Sequence, residues 1–281
     1  MTEPWVLPKA PYVPFVEDRT NRPPGLSPLK MDEWTVRHAD FDAQLARRRE
    51  IMRDHADIVI AATSDAEPAE LELLSMLNTH LGDGPRDLTL KERFCPLTAL
   101  GHLVAEDFCI MLADKAAGEY RLAAAILCFP SRWLLSEKMN RPLTAIHDPV
   151  PEYDDLLARR VNRVFEAVHV DRPLVRVNWT IHPTAELFLP LGLSDKQMMT
   201  ANSDSRMYLR TERQTLVRLP QTGAVVFGIK TSVSPLENLE PSEAQVLLKR
   251  LEELDAADIA YRGRPEITAR KIAVLEEVAG S

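Results

Sequence analysis

"RMYLRTERQTLVRLPQTGAVVFGIKTSVSP", residues 206 to 235, decides the fold. Two β-prone runs, 206–220 and 224–235, meet at a short Gln221-Thr222-Gly223 junction, which reads as a hairpin connection. With a period of two, Arg210, Glu212 and Gln214 share one face of the first run, and Thr211, Arg213 and Thr215 share the other. Polarity on both faces leaves two readings. Either one face meets a ligand, a partner or another polar layer, or the segment is a solvated edge strand. In the first case a glutamate can hold a cationic amine by a charge-assisted hydrogen bond, and an arginine can hold an anionic group.

Working outward, LVRVNWTI (174–181) alternates Val175, Val177, Trp179 and Ile181 with Arg176, Asn178 and Thr180, the pattern of a half-buried strand. Two more β-prone runs, Asp107–Leu112 and Tyr120–Phe129, flank ADKAAGE and predict a hairpin. Helical spacing marks 41–60, 68–81 and 96–106, then a long amphipathic stretch from Pro151 to His169, and finally 241–258 and 265–278. SRWLLSEKMNRPLTAIH (131–147) reads as short helical turns, with Ser131 as a cap. Strands and helices do not alternate, which disfavours a parallel sheet. The expectation is an α+β fold: an antiparallel sheet of about five strands, helices on one face, and helical additions at both ends. Residues 1–30 hold seven prolines and form an extended arm, which Trp5, Tyr12 and Phe15 lay against the body. The chain divides into this arm, a helical part (31–96), a sheet-bearing core (97–236) and C-terminal helices (237–281), all within one domain.

The composition removes several function classes. The longest apolar run, Leu122–Phe129, is far short of the roughly 20 residues that span a bilayer. The N-terminus lacks a basic start and an apolar stretch, so no signal peptide is expected. Cys95, Cys109 and Cys128 are scattered and lack CxxC spacing, which predicts reduced thiols in a cytoplasmic protein. The net charge of −8 offers no basic footprint for nucleic acid. It suits a small cationic substrate or a basic protein partner, as well as simple solubility. GxGxxG, GxxxxGK[ST], HExxH and GxSxG are all missing, so any redox chemistry needs electrons supplied from elsewhere.

Among the remaining residues, His147 in RPLTAIHDPVPEY (141–153) stands between a helical turn and a stiff Pro-Val-Pro segment. Such an imidazole can serve a metal or cofactor, or be an ordinary core or cap histidine. His182 ends the strand beside Pro183; it lines a pocket or faces solvent. Arg132 and Lys138 are possible anion partners or plain surface charges, and Trp133 packs.

Three stretches carry a resemblance: CFPSRWLLSEKMNRPLTAIHDPVPEY (128–153), RVNWTIHPTAELFLP (176–190) and LRTERQTLVRLPQTGAVVFGIKTSVSPL (209–236), together with RPPGLSPL near the start. The chain resembles the haem-dependent oxidative N-demethylases, the α-subunit type of dimethylamine monooxygenase, from about residue 22 to 265. The resemblance implies a single haem-binding domain with a PAS-like sheet and haem b. It implies oxidative removal of a methyl group from a small secondary amine such as dimethylamine, with dioxygen as oxidant and formaldehyde as a product. Electrons would come from NADPH through a partner reductase subunit carrying FMN and a 2Fe-2S cluster, and a tetrahydrofolate-using subunit would accept formaldehyde. It makes His147 the axial metal ligand, with His182 as competitor, and places Trp133, Lys138 and Trp179 with the cofactor. Glu212 and Arg213 go with catalysis. A methyl-sized substrate gains only about 0.8 kcal/mol per carbon from burial, so a carboxylate such as Glu212 would have to anchor the amine. The rival expectation is a haem- or ligand-binding PAS-type sensor without turnover.

Overall fold

A computed structural model describes residues 3–16, 25–82, 89–114, 116–147, 155–191, 204–253 and 265–281. Its centre is a seven-stranded antiparallel sheet: β1 (Ser27–Pro28), β2 (Ile60–Ala62), β3 (Asp107–Asp114), β4 (Glu119–Ile126), β5 (Leu174–His182), β6 (Tyr208–Arg218) and β7 (Val225–Pro235). The order across the sheet is β1-β5-β6-β7-β3-β4-β2. The α+β expectation holds, but the sheet has seven strands rather than about five. The two extra strands are the shortest. β1 has two residues in the proline-rich entry, and β2 has three at the end of what the periodicity reads as one helix. Neither is long enough to show an alternation of its own.

The expected 41–60 helix is α1 (Phe41–Asp54) and α2 (Ala56–Val59), broken at His55, with Ile60 already in β2. Then come α3 (Glu67–His80), α4 (Leu90–Phe94), α5 (Pro96–Leu103), α6 (Leu135–Lys138), α7 (Leu143–His147), α8 (Asp155–Ala167), α9 (Pro241–Glu252) and α10 (Pro265–Ala279). The predicted continuation of α9 to residue 258, and residues 151–154 of the predicted long helix, lie outside the described residues.

Helices cover both faces of the sheet, not one. Alternate residues of each strand point to opposite sides. Phe108, Ile110 and Val226 pack with Ile51 of α1, Leu73 of α3 and Leu100 of α5. Cys109, Leu216 and Ile229 pack with Leu135 of α6, Leu143 of α7 and Phe165 of α8. A third cluster joins Phe15, Ile181 and Leu209 to Leu247 of α9 and Ile267 and Leu275 of α10. Gly228 sits where Phe108 and the Thr215 hydroxyl crowd β7; a Cβ there would lie 2.6 Å from Thr215 Oγ1. Among the described residues, no helix is long and apolar enough to cross a membrane.

Candidate functional site

Strand β6 is central, flanked along its length by β5 and β7, so it is no solvated edge. Its register assembles the polar group. Glu212 lies opposite Asn178 on β5 and Thr231 on β7; Gln214 lies opposite Arg176. These residues share the face that α6, α7 and α8 cover, and here the strand apolar pattern gives way to charge. Gln214 Nε2 donates to Glu212 Oε2 at 3.1 Å, and Arg176 Nε donates to Gln214 Oε1 at 2.7 Å. Arg210 Nε approaches Glu212 Oε1 at 3.4 Å, while its terminal nitrogens donate to the carbonyls of Phe129 (2.6 Å) and Leu187 (3.2 Å). The Glu212 side chain keeps 17% of its surface exposed, against 2% for Arg210. Glu212 is thus the accessible charge of the pair. Burial pulls Arg176 below the usual arginine range, with Glu212 opposing that shift.

His182 ends β5 on the same face, 5% exposed, with Nε2 3.0 Å from Thr180 Oγ1 and 3.4 Å from Ser131 Oγ. Burial, with the charges of Arg210, Lys271 and Arg132, holds its pKa well below the ordinary histidine value, so the ring is a neutral imidazole. The solvent-facing alternative for His182 falls. Ser131 caps no helix: it bridges to Leu189, and α6 begins at Leu135 without a side-chain cap bond.

Trp133 and Lys138 flank this face as one unit. The Lys138 ammonium lies 4.9 Å from the Trp133 ring centre and donates to the Ile146 carbonyl at 2.9 Å. His147 closes α7, one residue after that carbonyl. Its side chain, and the Pro149–Pro151 brace, lie outside the described residues.

Two expected members stand on the opposite face of the sheet. Trp179 packs edge-on against Phe15 at 5.7 Å between ring centres. Arg213, 6% exposed, donates to the carbonyls of Trp34 (3.2 Å) and Glu33 (2.6 Å). Beside it, buried Lys230 donates to Gln44 Oε1 at 2.9 Å and pairs with Asp40 at 3.3 Å. The structure therefore brings Glu212, His182, Trp133 and Lys138 to one side, and Arg213 and Trp179 to the other. Arg210 and Gln214 join the Glu212 group. Their shared period with Glu212 was the signal in the sequence.

An antiparallel sheet with helices on both faces, one face part apolar cluster and part charged patch, defines an α+β class. The chain belongs to the family described as haem-dependent oxidative N-demethylase, alpha subunit-like, whose model matches residues 85–271.

The residues on the α7 face fit a haem. A porphyrin needs apolar walls, an imidazole and cations for its carboxylates. Leu143, Ile146, Phe165 and Leu216 supply the apolar surface, and Arg176 a half-buried cation. His182 is a neutral imidazole on that face, and His147 terminates a helix that packs there. Asn162 Oδ1 of α8 is buried and finds no hydrogen-bond partner among the described residues.

Proposed function

We propose that this chain is the haem b-bearing oxygenase subunit that removes a methyl group from a small secondary amine of the dimethylamine kind. The products are a primary amine and formaldehyde. Dioxygen takes two electrons and two protons besides those of the C–H bond, and one of its oxygens leaves as water. The electrons come from NADPH through a partner reductase bearing FMN and a 2Fe-2S cluster, and a tetrahydrofolate-using subunit takes the formaldehyde. We read the sheet as PAS-like, residues 1–281 as one haem-binding domain, and the setting as cytoplasmic.

One observation carries this reading: a carboxylate that keeps 17% of its side-chain surface exposed, Glu212, stands beside an apolar cluster on the face that His147's helix covers. Bound haem supplies dioxygen activation. His147 would hold the iron and Arg176 would pair with a haem carboxylate, which would leave Glu212 with less counter-charge. Glu212 then accepts the N–H of the alkylammonium and orients its methyl group, since apolar contact alone gives so small a substrate little affinity. Leu143, Ile146 and Phe165 exclude water. Lys138 and Trp133 support the helix, and His182 closes the end of the pocket as an uncharged ring. Arg213 and Trp179 act from the far face, holding the sheet to the residues that precede α1.

Glu212→Gln is expected to raise the amine KM at least tenfold while the haem absorption spectrum stays as in the wild type. Steady-state NADPH oxidation with the reductase added measures it. An unchanged KM removes Glu212 from the site, and the absence of amine-dependent NADPH oxidation with the reductase added points to the sensor reading instead.

A further inference from the structure

Helix α7 has five residues, too few to hold itself together in water. Its first N–H groups and last carbonyls have no partner within the helix. Both ends are met by charged side chains from elsewhere in the chain. At the start, Glu119 of β4 accepts from the Thr144 backbone N–H at 3.2 Å and from the Thr144 hydroxyl at 3.0 and 3.1 Å. At the end, Lys138 of α6 donates to the Ile146 carbonyl at 2.9 Å. The signs are those the peptide dipoles favour: negative at the N-terminus, positive at the C-terminus. The entry to α7 is stitched down as well. Leu122 N donates to Arg141 O at 3.1 Å, and Asn140 N to Leu122 O at 2.8 Å.

We propose that Glu119 and Lys138 form a two-ended clamp on α7 that fixes how the chain presents residue 147. Both are positioning residues. The proposal rests on reading His147 as the axial ligand. A clamp is needed because the dipeptide-scale freedom of a single turn is large compared with the tolerance of a metal–nitrogen bond. Leu143, 2% exposed, and Ile146 pin one side of the turn to the apolar cluster but leave its ends free to fray. The Trp133 ring holds the Lys138 ammonium in place, and burial draws the Lys138 pKa below the usual lysine value. Lys138 is spent on a carbonyl one residue from His147, so in this arrangement it does not serve as a propionate partner.

The test has two arms on the full chain. In haem-free protein, hydrogen exchange at Thr144 and Ile146 is compared among wild type, Glu119→Ala, Lys138→Met and Lys138→Arg. Loss of one cap is expected to speed exchange there about tenfold, with the β3 and β4 amides unchanged and Lys138→Arg near wild type. In haem-loaded protein, the same two damaging variants are expected to shift the low-temperature EPR spectrum and the midpoint potential and to hasten haem transfer to apomyoglobin. Exchange unchanged at both amides, or raised evenly over the sheet, overturns the clamp. Identical haem spectra for wild type and His147→Ala would sink the ligand assignment instead, and the exchange arm would still decide the clamp.

Discussion

Glu70, in the first turn of α3, shows what a single buried carboxyl costs. Burial, reinforced by the nearby Glu67 charge, pushes its pKa up to about 7. In the unfolded chain it titrates near 4.5. Between those values the folded form holds a proton the unfolded form has released, so stability falls as pH rises from about 4.5 to about 7 and stays low above. Glu70→Gln is therefore expected to raise the unfolding midpoint at pH 8 by an amount worth roughly 1–3 kcal/mol, and to leave it nearly unchanged at pH 4. Thermal unfolding at both pH values checks this; an equal shift at the two would show that charge is not the cause. Glu106 follows the same rule in direction, raised by burial, with its Oε2 lacking a partner among the described residues. Cys109 and Cys128 are pushed up to about 12 by burial, which makes them inert thiols. None of these environments is written in the local sequence. Glu70 looks like an ordinary dipole-matching acid at a helix start; Glu67 one turn before it is visible in the sequence, but the burial that is the larger cause of its shift is not. The same limit applied to Arg213 and Glu212. Alternation separated them onto two faces, but which face meets α7 depended on packing 60 or more residues away.

At the scale of elements, the β6–β7 hairpin and its Gln221-Thr222-Gly223 junction were legible because β-branched runs flank a Gly at positive φ. What tethers the hairpin was not. Glu72 of α3 accepts from Gln221 N (2.6 Å), Thr222 N (2.8 Å) and Thr222 Oγ1 (2.6 Å), tying the turn to the helical layer. Three donors on one carboxylate make this a strong joint in a partly buried place. Glu72→Ala, which leaves those donors unpaired, is expected to cost about 1–3 kcal/mol, read as a lower urea midpoint with an unchanged slope. A loss below 0.5 kcal/mol would mean that water replaces the carboxylate freely. The helices of residues 131–147 were foreseen only as short turns. Their charged supports, such as Glu119 lying 25 positions before Thr144, leave no periodic trace.

For the molecule as a whole, the arm is a structural member, as its aromatic residues suggested. Leu7 N donates to Val233 O at 2.8 Å, and Trp5 Nε1 to Ala185 O at 2.8 Å. Phe15 is fully buried between the sheet and the C-terminal helices. Chain start, central sheet and chain end thereby share one cluster. Phe15→Ala is expected to destabilise the whole chain by about 3–5 kcal/mol, with loss of structure in α9 and α10 first; equilibrium denaturation followed by far-UV circular dichroism measures it. A cost under 1 kcal/mol would mean that the arm lies loosely on the body.

Strand order sets a timetable for synthesis. β3 pairs with β4 on one side, but its other neighbour is β7, which leaves the ribosome more than a hundred residues later. Until then the nascent chain carries an open strand edge of Asp107–Met111, apolar but for its first residue, the kind of template that invites pairing between chains. Expression yield should therefore depend on chaperone supply during translation more than on the stability of the finished fold.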